Sequence, residues 1–187
     1  MFVDFITATT PDDAAKERAA IIQSFRQLHL KKGEIFVKEG EVCRYFCYIE
    51  KGILQHAIEV DGDEKTTYIA LKNTVTSSLY SFLYQTPSRK SVKALTDSVL
   101  WVIDLEHFIK LKANNSTFSQ LYYNILEKQI CLIDEYRIDL LTLTPEERYK
   151  KLLVSEPKLL QEVPLHYLAA FLGISSRHMS RIRKTIK

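Results

Sequence analysis

The chain has 187 residues, of which 46% are hydrophobic and 26% are charged, as is typical of a globular protein that folds as one large domain or two small ones. The formal net charge is only +3, so total charge by itself does not indicate a nucleic-acid partner. No apolar run approaches the roughly 18 to 20 residues that span a bilayer. The first residues also lack a basic segment followed by an apolar core, so we expect a cytoplasmic protein without membrane contact.

The three cysteines, Cys43, Cys47 and Cys131, are an odd and sparse set that suits a reducing compartment better than a disulfide scaffold. The first two have a spacing that could hold a metal or a cluster. The sequence offers no third and fourth ligand nearby, so we expect buried thiols and no metal. Haem or metal sensing stays open as an alternative. No cluster of ligands supports it, because the candidate histidines are scattered along the sequence at His29, His56, His107 and His166.

In chain order, the first predicted element is a short amphipathic helix over residues 11–27, which opens with proline and two aspartates. Residues 28–104 change to short runs rich in Ile, Val, Tyr, Phe and Thr, divided by turn residues, and this pattern predicts an antiparallel sandwich or jelly roll. Asp61-Gly62 is the clearest turn, because a tight hairpin needs positive φ angles and an Asp-Gly pair readily adopts them. Residues 77–86 place Leu79, Phe82 and Leu83 on one helical face and predict a short helix that interrupts the sheet.

After Asp104 the pattern is helical. Residues 105–114 predict one helix, and Ser116 or Thr117 can cap a second helix that ends near residue 143. This long helix has two apolar stripes, and we expect one to pack on the β-roll and the other on a partner helix, most simply the same helix of a second subunit. A single wide core-facing stripe is the alternative. The stripes are Leu126, Ile130, Ile133, Arg137 and Leu140, and Tyr122, Ile125, Gln129, Leu132 and Tyr136.

A third helix begins at Thr144, which can act as an N-cap before Pro145 and two glutamates. We therefore place the domain boundary at residues 142–144. It separates an effector-type domain over residues 1–143, with its dimer helix at about 117–143, from a DNA-binding domain over residues 144–187.

The last part of the chain, VPLHYLAAFLGISSRHMSRIRKTI, predicts two helices joined by a turn of three or four residues. Small Ala169 allows the two helices to cross closely, Gly173 adopts the turn conformation, and Ile174 fills the angle between the helices. The first helix begins near Pro164, and its inward face consists of Leu165, Leu168, Ala169 and Leu172. The second helix begins at Ser175 or Ser176, and its inward face consists of Met179 and Ile182. This pattern indicates a helix-turn-helix.

The outward face of the second helix consists of side chains that can donate hydrogen bonds. From Arg177 to Lys187 the sequence contains five basic residues and no acidic residue. Arg can contact guanine edges in the major groove, while Ser and Lys can bind phosphates. A basic helix that is merely solvated is the alternative, but the turn signature argues against it. The predicted DNA contacts are Ser176, Arg177, His178, Ser180, Arg181 and Lys184.

A β-roll with glycine turns, a long helix and a C-terminal helix-turn-helix together resemble the Crp/Fnr family of bacterial transcription regulators over nearly the whole chain. LKKGEIFVKEGEVCRYFCYIEKGIL at residues 30–54 is similar to the opening of that family's roll, and LAAFLGISSRHMSRIRK at residues 168–184 is similar to its DNA-binding motif. The resemblance implies an α+β fold in which an antiparallel β-roll like that of cyclic-nucleotide-binding domains precedes a dimerisation helix and an all-α helix-turn-helix domain.

The resemblance also implies how such a protein works. It implies a homodimer that binds palindromic double-stranded DNA, with recognition helices in successive major grooves about 34 Å apart. It further implies control of transcription by an effector held in the roll, with RNA polymerase as a further partner. Ser176-Arg177 stands where catabolite-type activators have Arg-Glu, so we expect a different operator sequence. Six residues follow Arg181 in the sequence, so we do not expect a wing hairpin after this helix.

The effector pocket departs from the cyclic-nucleotide pattern. Ser77-Ser78 stands where nucleotide-binding members have Gly-Glu, and Ser88 stands where they have the phosphate-binding arginine, with Arg89 one position later. Consecutive side chains of an extended segment point in opposite directions, so we expect Arg89 to face away. A buried phosphodiester needs a fixed positive charge, so we do not expect cyclic AMP to bind by the usual contacts. The degenerate pocket would comprise Ser77, Ser78, Ser88, Arg89 and Ser91, and the sequence names no cofactor or effector.

Three functional hypotheses follow. The first is a sequence-specific, dimeric transcription regulator with a degenerate effector roll. The second is a ligand-sensing or protein-interaction module that does not bind DNA. The third is an enzyme, which would depend on Asp61, Asp63 and Glu64, but these acids lie at a hairpin turn with no catalytic partner at a useful spacing, so we expect no enzyme.

Overall fold

The computed structural model describes residues 2–185, and Ile186 and Lys187, the latter counted above among the basic residues, lie outside that range. Two helices precede the sheets, α1 at Phe2–Thr9 and α2 at Ala15–Ser24. The helix predicted for residues 11–27 is therefore shorter than expected. Its last residues belong to a strand instead, because Arg26 and Gln27 pair with Val102 and Trp101.

Strands dominate residues 26–104, as the sequence predicts. They form two antiparallel four-stranded sheets, in the orders β1-β8-β3-β6 and β2-β7-β4-β5. A short helix, α3 at Leu79–Tyr84, lies between β6 and β7 and buries Phe82. The strands are β1 Arg26–Leu30, β2 Ile35–Val37, β3 Tyr45–Lys51, β4 Leu54–Val60, β5 Asp63–Ala70, β6 Val75–Thr76, β7 Ser91–Ala94 and β8 Ser98–Asp104. The predicted antiparallel roll is confirmed.

The predicted hairpin joins β4 to β5. Val60 pairs with Asp63, and both residues of the two-residue turn have positive φ angles, 54° at Asp61 and 81° at Gly62. That pair of angles belongs to the type I′ turn, whose twist matches that of the flanking strands. Two of the three acidic residues of this hairpin form ion pairs, Asp63 with Lys65 and Glu64 with Lys93.

Helices occupy the second half of the described chain. They are α4 at Leu105–Asn114, α5 at Ser116–Thr142, α6 at Pro145–Ser155, α7 at Pro157–Glu162, α8 at Leu165–Leu172 and α9 at Ser176–Thr185. The sequence predicts all of them except α7. The cap of α5 also differs from the expectation, because the Asn115 side chain, rather than Ser116 or Thr117, accepts the hydrogen bond from the Phe118 amide. Thr144 caps α6 in a full capping box with Glu147.

Two apolar cores hold these elements together. The first fills the space between the sheets and continues under α1, α2, α3, α4 and the first turns of α5. The second joins the C-terminal helices to the outer side of the sheet that contains β4, β5 and β7, since Ile53, Ile69 and Leu95 are buried in one cluster with Leu159, Leu168 and Leu172. The C-terminal helices therefore pack directly on the roll.

Helix α1, which the sequence analysis did not predict, is anchored by an aromatic cluster. The ring of Phe2 lies 4.9 Å from the rings of both Phe25 and Trp101, and 5.4 Å from that of Tyr48. The Glu50 carboxylate fixes the same corner, because it accepts hydrogen bonds from the Phe2 amide and from the Trp101 indole. One glutamate and four rings thus attach the first helix to the sheet.

We expect Phe2→Ala to lower the free energy of unfolding by about 3 kcal/mol, because it removes a buried ring that the surrounding side chains cannot replace. Urea unfolding followed by circular dichroism measures this loss. Val3→Ala is the matched control, since Val3 is exposed on the same helix. Equal losses in the two variants would show that the cluster does not anchor α1.

Candidate effector pocket and nucleic-acid interface

The segment that leads into β7 alternates between the inside and the outside of the roll. Ser88, Val92 and Ala94 are buried, whereas Arg89 is exposed. Ser91 faces the other side as well, where its hydroxyl accepts a hydrogen bond from the Glu39 amide at 3.0 Å. The expectation that Arg89 points away from the interior therefore agrees with its exposure in the structure.

The three remaining serines of the predicted pocket meet at the start of α3. The Ser88 hydroxyl donates to the Lys90 carbonyl at 2.6 Å, so the 2.8 Å contact between the Ser78 and Ser88 hydroxyls has Ser78 as its donor. Ser77 donates to the Tyr45 carbonyl and lies 3.4 Å from the Cys43 sulfur. The structure brings Ser77, Ser78 and Ser88 together and leaves Arg89 and Ser91 outside.

His56 is a buried polar residue of this interior that the sequence analysis did not include in the pocket. It lies on β4 opposite Val92 and is 2% exposed. Its Nε2 atom is 2.7 Å from the Thr76 hydroxyl on the other sheet, while its Nδ1 atom has no hydrogen-bond partner among residues 2–185. Burial, together with the nearby charge of Lys90, lowers the pKa of His56 from its usual 6.5 to about 3. The imidazole is therefore neutral.

Lys90 is the second residue that the sequence analysis missed. It lies in the bend before β7, close enough to His56 and Cys43 for electrostatic interaction with both. It is partly buried, and burial lowers the pKa of its ammonium group, an effect that the nearby Cys43 partly opposes. Within residues 2–185 the structure shows no ion pair for Lys90. Counting two residues on from Ser88 could have identified it.

The cysteines and histidines give no metal-binding arrangement in the described part of the chain. Cys43 and Cys47 are buried free thiols, as expected, and burial raises the pKa of Cys47. Cys131 is free and exposed on α5. No group of three or more potential ligand residues is close enough to hold a metal ion among residues 2–185.

The C-terminal part contains the two predicted helices, α8 and α9, and a short turn between them. Gly173 ends α8 in the left-handed conformation, at φ 70°, and its amide donates to the carbonyls of the last turn. Met179 and Ile182 of α9 are buried against Leu168, Ala169 and Leu172 of α8. The turn between the helices comprises Gly173, Ile174 and Ser175, so its length matches the prediction.

The outward face of α9 is basic and accessible. Ser176, Arg177, His178, Arg181 and Lys184 are exposed, and Ser180 is half-buried. His178 also contacts an acid, because its Nε2 atom lies 2.8 Å from the Glu146 carboxylate of α6. Five of the six predicted contact residues are thus exposed, and Ser180 is half-buried.

Helix α5 connects the roll to these helices. Phe118, Leu121 and Tyr122 are buried against the roll, whereas the helix beyond residue 126 is largely exposed. Near its end the Tyr136 ring stacks on Phe171 at 5.2 Å, and its hydroxyl donates to the Phe171 carbonyl. The exposed apolar side chains of this half of α5 are Ile130, Leu132, Ile133, Ile138, Leu140 and Leu141. Within residues 2–185, no helix combines the length and hydropathy required to cross a membrane.

Comparison with known proteins identifies the roll. Residues 27–115 match the cyclic nucleotide-binding domain family. Among curated proteins, the chain is 21% identical over 130 residues to the cAMP-dependent protein kinase regulatory subunit of Blastocladiella emersonii. That match covers 70% of this chain and only 30% of the relative.

Solved structures with the same fold include transcription regulators. A CooA variant from Carboxydothermus hydrogenoformans has a TM-score of 0.69 at 16% identity, over 88% of this chain and 77% of that one. The Catabolite Activator Protein of Thermus thermophilus has a TM-score of 0.60 at 18% identity, over 97% and 86%. A protein from Eubacterium rectale, described as a Crp/Fnr-family regulator, has a TM-score of 0.68 at 16% identity, over 91% and 82%.

These matches confirm the predicted resemblance. Residues 27–115 are similar to cyclic nucleotide-binding domains, and the chain shares its fold with solved structures that include a protein described as a Crp/Fnr-family regulator. The shared fold extends beyond the matched domain into the long helix and the helices that follow it, because the aligned parts cover most of this chain.

We expect His56→Gln to reduce the loss of stability in mild acid. The folded protein holds His56 neutral down to about pH 3, whereas the unfolded chain takes up a proton near pH 6.5, so this group costs stability as the pH falls between those values. Between about pH 7 and about pH 4.5, the parent should lose roughly 2 to 3 kcal/mol more than the variant. Urea unfolding at each pH measures the difference, and parallel pH profiles would contradict the assignment.

Proposed function

We propose that this protein is a sequence-specific DNA-binding transcription regulator in which α8 and α9 form the helix-turn-helix. The observation that carries the proposal is the composition of α9, which buries Met179 and Ile182 while it exposes a basic face without an acidic side chain. Arg177 and Arg181 are four residues apart and therefore lie on the same side of the helix. A helix of this kind fits the major groove, where Arg can donate two hydrogen bonds to guanine.

We also propose a homodimer that forms through the exposed half of α5. Apolar side chains recur along this half of α5, which extends away from the roll after the first turns of the helix. An apolar stripe of this kind is unfavourable in water unless a partner covers it. A second copy of the same helix would cover it symmetrically. Two-fold symmetry would then place two α9 helices on one face, for half-sites about 34 Å apart in a palindromic site.

The proposed regulator would not bind cyclic AMP by the contacts usual in its family. Ser77 and Ser78 offer hydroxyls where a carboxylate would hold the ribose, and these hydroxyls already bond to the Tyr45 carbonyl and to Ser88. Arg89 is exposed on the outer side of the roll. The usual charge for a buried phosphodiester is therefore missing from its usual position. We propose a cytoplasmic protein that uses the roll in another way.

We expect Arg181→Ala to weaken binding to the operator by roughly 1 to 3 kcal/mol, because the substitution removes a base or phosphate contact. Selection from a random duplex library with the purified protein first supplies the operator, and fluorescence anisotropy at several salt concentrations then measures the affinity. Arg44→Ala is the charge-matched control, since Arg44 is exposed on the roll far from α9 in sequence. Equal affinities for the Arg181→Ala variant and the parent would contradict the role of Arg181.

The same measurement separates the regulator from the second functional hypothesis. A protein-interaction module would use the terminal helices to bind another protein and would not bind duplex DNA even at low salt. Recovery of no duplex by the parent at low salt would therefore refute the proposed function.

We expect Ile133→Glu to convert the dimer to monomers, because it places a charge in the middle of the apolar stripe of α5. Ile109→Glu is the control, since both isoleucines are exposed, at 58% and 55%, but Ile109 lies on α4. Sedimentation velocity over a range of concentrations measures the oligomeric state. A parent protein that sediments as a monomer at all concentrations would contradict the dimer.

A further inference from the structure

We propose that Glu146 holds the ring of His178 so that one nitrogen of this histidine reads DNA bases in a pH-dependent way. The neutral ring would accept a hydrogen bond from a base, and the protonated ring would donate one. The inference rests on the proposed function, because it concerns how α9 would read the operator. Glu146 would be a positioning residue, since it acts through His178.

The first argument is that the Glu146 carboxylate is anchored and ionised. Glu146 lies in the first turn of α6, where Thr144 caps the helix and the helix dipole favours negative charge. The pKa of the Glu146 carboxyl is lowered, first by a hydrogen bond from its own backbone amide and then by its contact with His178. The carboxylate therefore stays charged between about pH 5.5 and about pH 8.5.

The second argument is the contact between the two side chains. The His178 Nε2 atom lies 2.8 Å from a Glu146 carboxylate oxygen. An ionised carboxylate can only accept hydrogen bonds, so Nε2 is the donor and must carry a proton. When His178 is neutral, its Nδ1 atom then has no proton. The contact with Glu146 thus selects one of the two neutral tautomers of the ring.

The third argument concerns Nδ1, the other ring nitrogen of His178. Within residues 2–185 the structure shows no hydrogen-bond partner for this atom, and His178 is exposed on the basic face of α9. While the Glu146 contact persists, any hydrogen bond from the His178 ring to DNA must therefore involve Nδ1. The neutral ring accepts at Nδ1, and the imidazolium donates there. One atom thus reverses its role when the histidine is protonated.

This reversal changes which bases suit His178. In the major groove, cytosine presents an amino group that donates hydrogen bonds, adenine presents an amino group beside one acceptor, and guanine presents acceptors. Unprotonated Nδ1 matches the amino group of cytosine or adenine, whereas protonated Nδ1 matches guanine. Imidazole changes its charge between about pH 5 and pH 8, so the change of preference falls in the physiological range.

Among the described residues, Glu146 is the one acid that forms an ion pair with His178. Helix α8, which packs against α9, contains no Asp, Glu, Lys or Arg. The proton on Nε2 is therefore controlled by one carboxylate. The other charged or titratable side chains of the adjoining helix turns are Arg177 and Arg181 of α9, Glu147 of α6, and His166 and Tyr167 of α8.

The tautomers of the histidines provide the first test, on the full chain without DNA. Nuclear magnetic resonance of isotope-labelled histidine rings distinguishes a proton on Nε2 from one on Nδ1, and His178→Asn assigns the His178 signals. At about pH 8.5, where imidazole is neutral, His178 of the parent should show the Nε2-protonated tautomer alone. Glu146→Ala should show an exchanging mixture. His107 is the internal control, because its Nδ1 atom lies 2.8 Å from the Asp104 carboxylate and should carry the proton in both proteins.

Duplex selection at two pH values provides the second test. The random library is selected at about pH 8.5 and about pH 5.5 at one ionic strength, on either side of the imidazole titration, and fluorescence anisotropy then gives relative affinities. At one position of each half-site, the preference for cytosine or adenine over guanine should fall at least about threefold in acid, since one hydrogen bond replaces another. His178→Asn should abolish this change. His166→Asn, which removes the other exposed histidine of α8 and α9, should retain it.

The outcomes separate this inference from the proposed function. A mixture of His178 tautomers in the parent, or the same base preferences at both pH values, would overturn the inference and leave DNA binding intact. A parent that recovers no duplex at either pH would refute the proposed function and with it the role of the pair in reading DNA. Glu146→Gln repeats the first test in case Glu146→Ala does not fold.

Discussion

The register between β7 and β4 is the constraint on which the rest of the structure depends. Val92 lies opposite His56 and Ala94 lies opposite Leu54, and these four residues are all buried. Because side chains alternate along a strand, this pairing fixes every second residue of both strands toward the interior. A shift of one residue would move the apolar side chains of β7 into water. The hydrophobic residues of β7 therefore determine which face of the strand meets the interior.

This constraint explains how one part of the pocket can change while the fold is kept. Ser88 is buried, and Lys90 follows it in the bend before β7. The apolar contacts of Val92 and Ala94 hold the strand in place and do not depend on either residue. Selection can therefore alter the polar end of the strand at little cost to the core. Such independence would allow residues 27–115 to match the cyclic nucleotide-binding family even if the pocket differs as we propose.

Much of the fold was predictable because the sequence signals were local. The Asp61-Gly62 turn, the Thr144 cap and the Gly173 turn each depend on residues within a few positions, and the structure contains all three. Helix α1 was missed because its stability comes from rings on β3 and β8, far away in sequence. His56 was missed for the same reason, since its burial depends on its pairing with β7 and on the opposite sheet. Lys90 could be identified from the sequence by counting two residues on from Ser88. Its lack of an ion-pair partner could not, because ion pairing depends on the three-dimensional structure.

The second core has a consequence for communication through the protein. The sheet that carries His56 on its inner face carries Ile69 on its outer face, and Ile69 is buried together with Leu168 of α8. The interior of the roll and the C-terminal helices therefore lie on opposite sides of a single layer of backbone. A displacement of that sheet can therefore reach α8 through the contact of Ile69 with its cluster, without passing along the long helix.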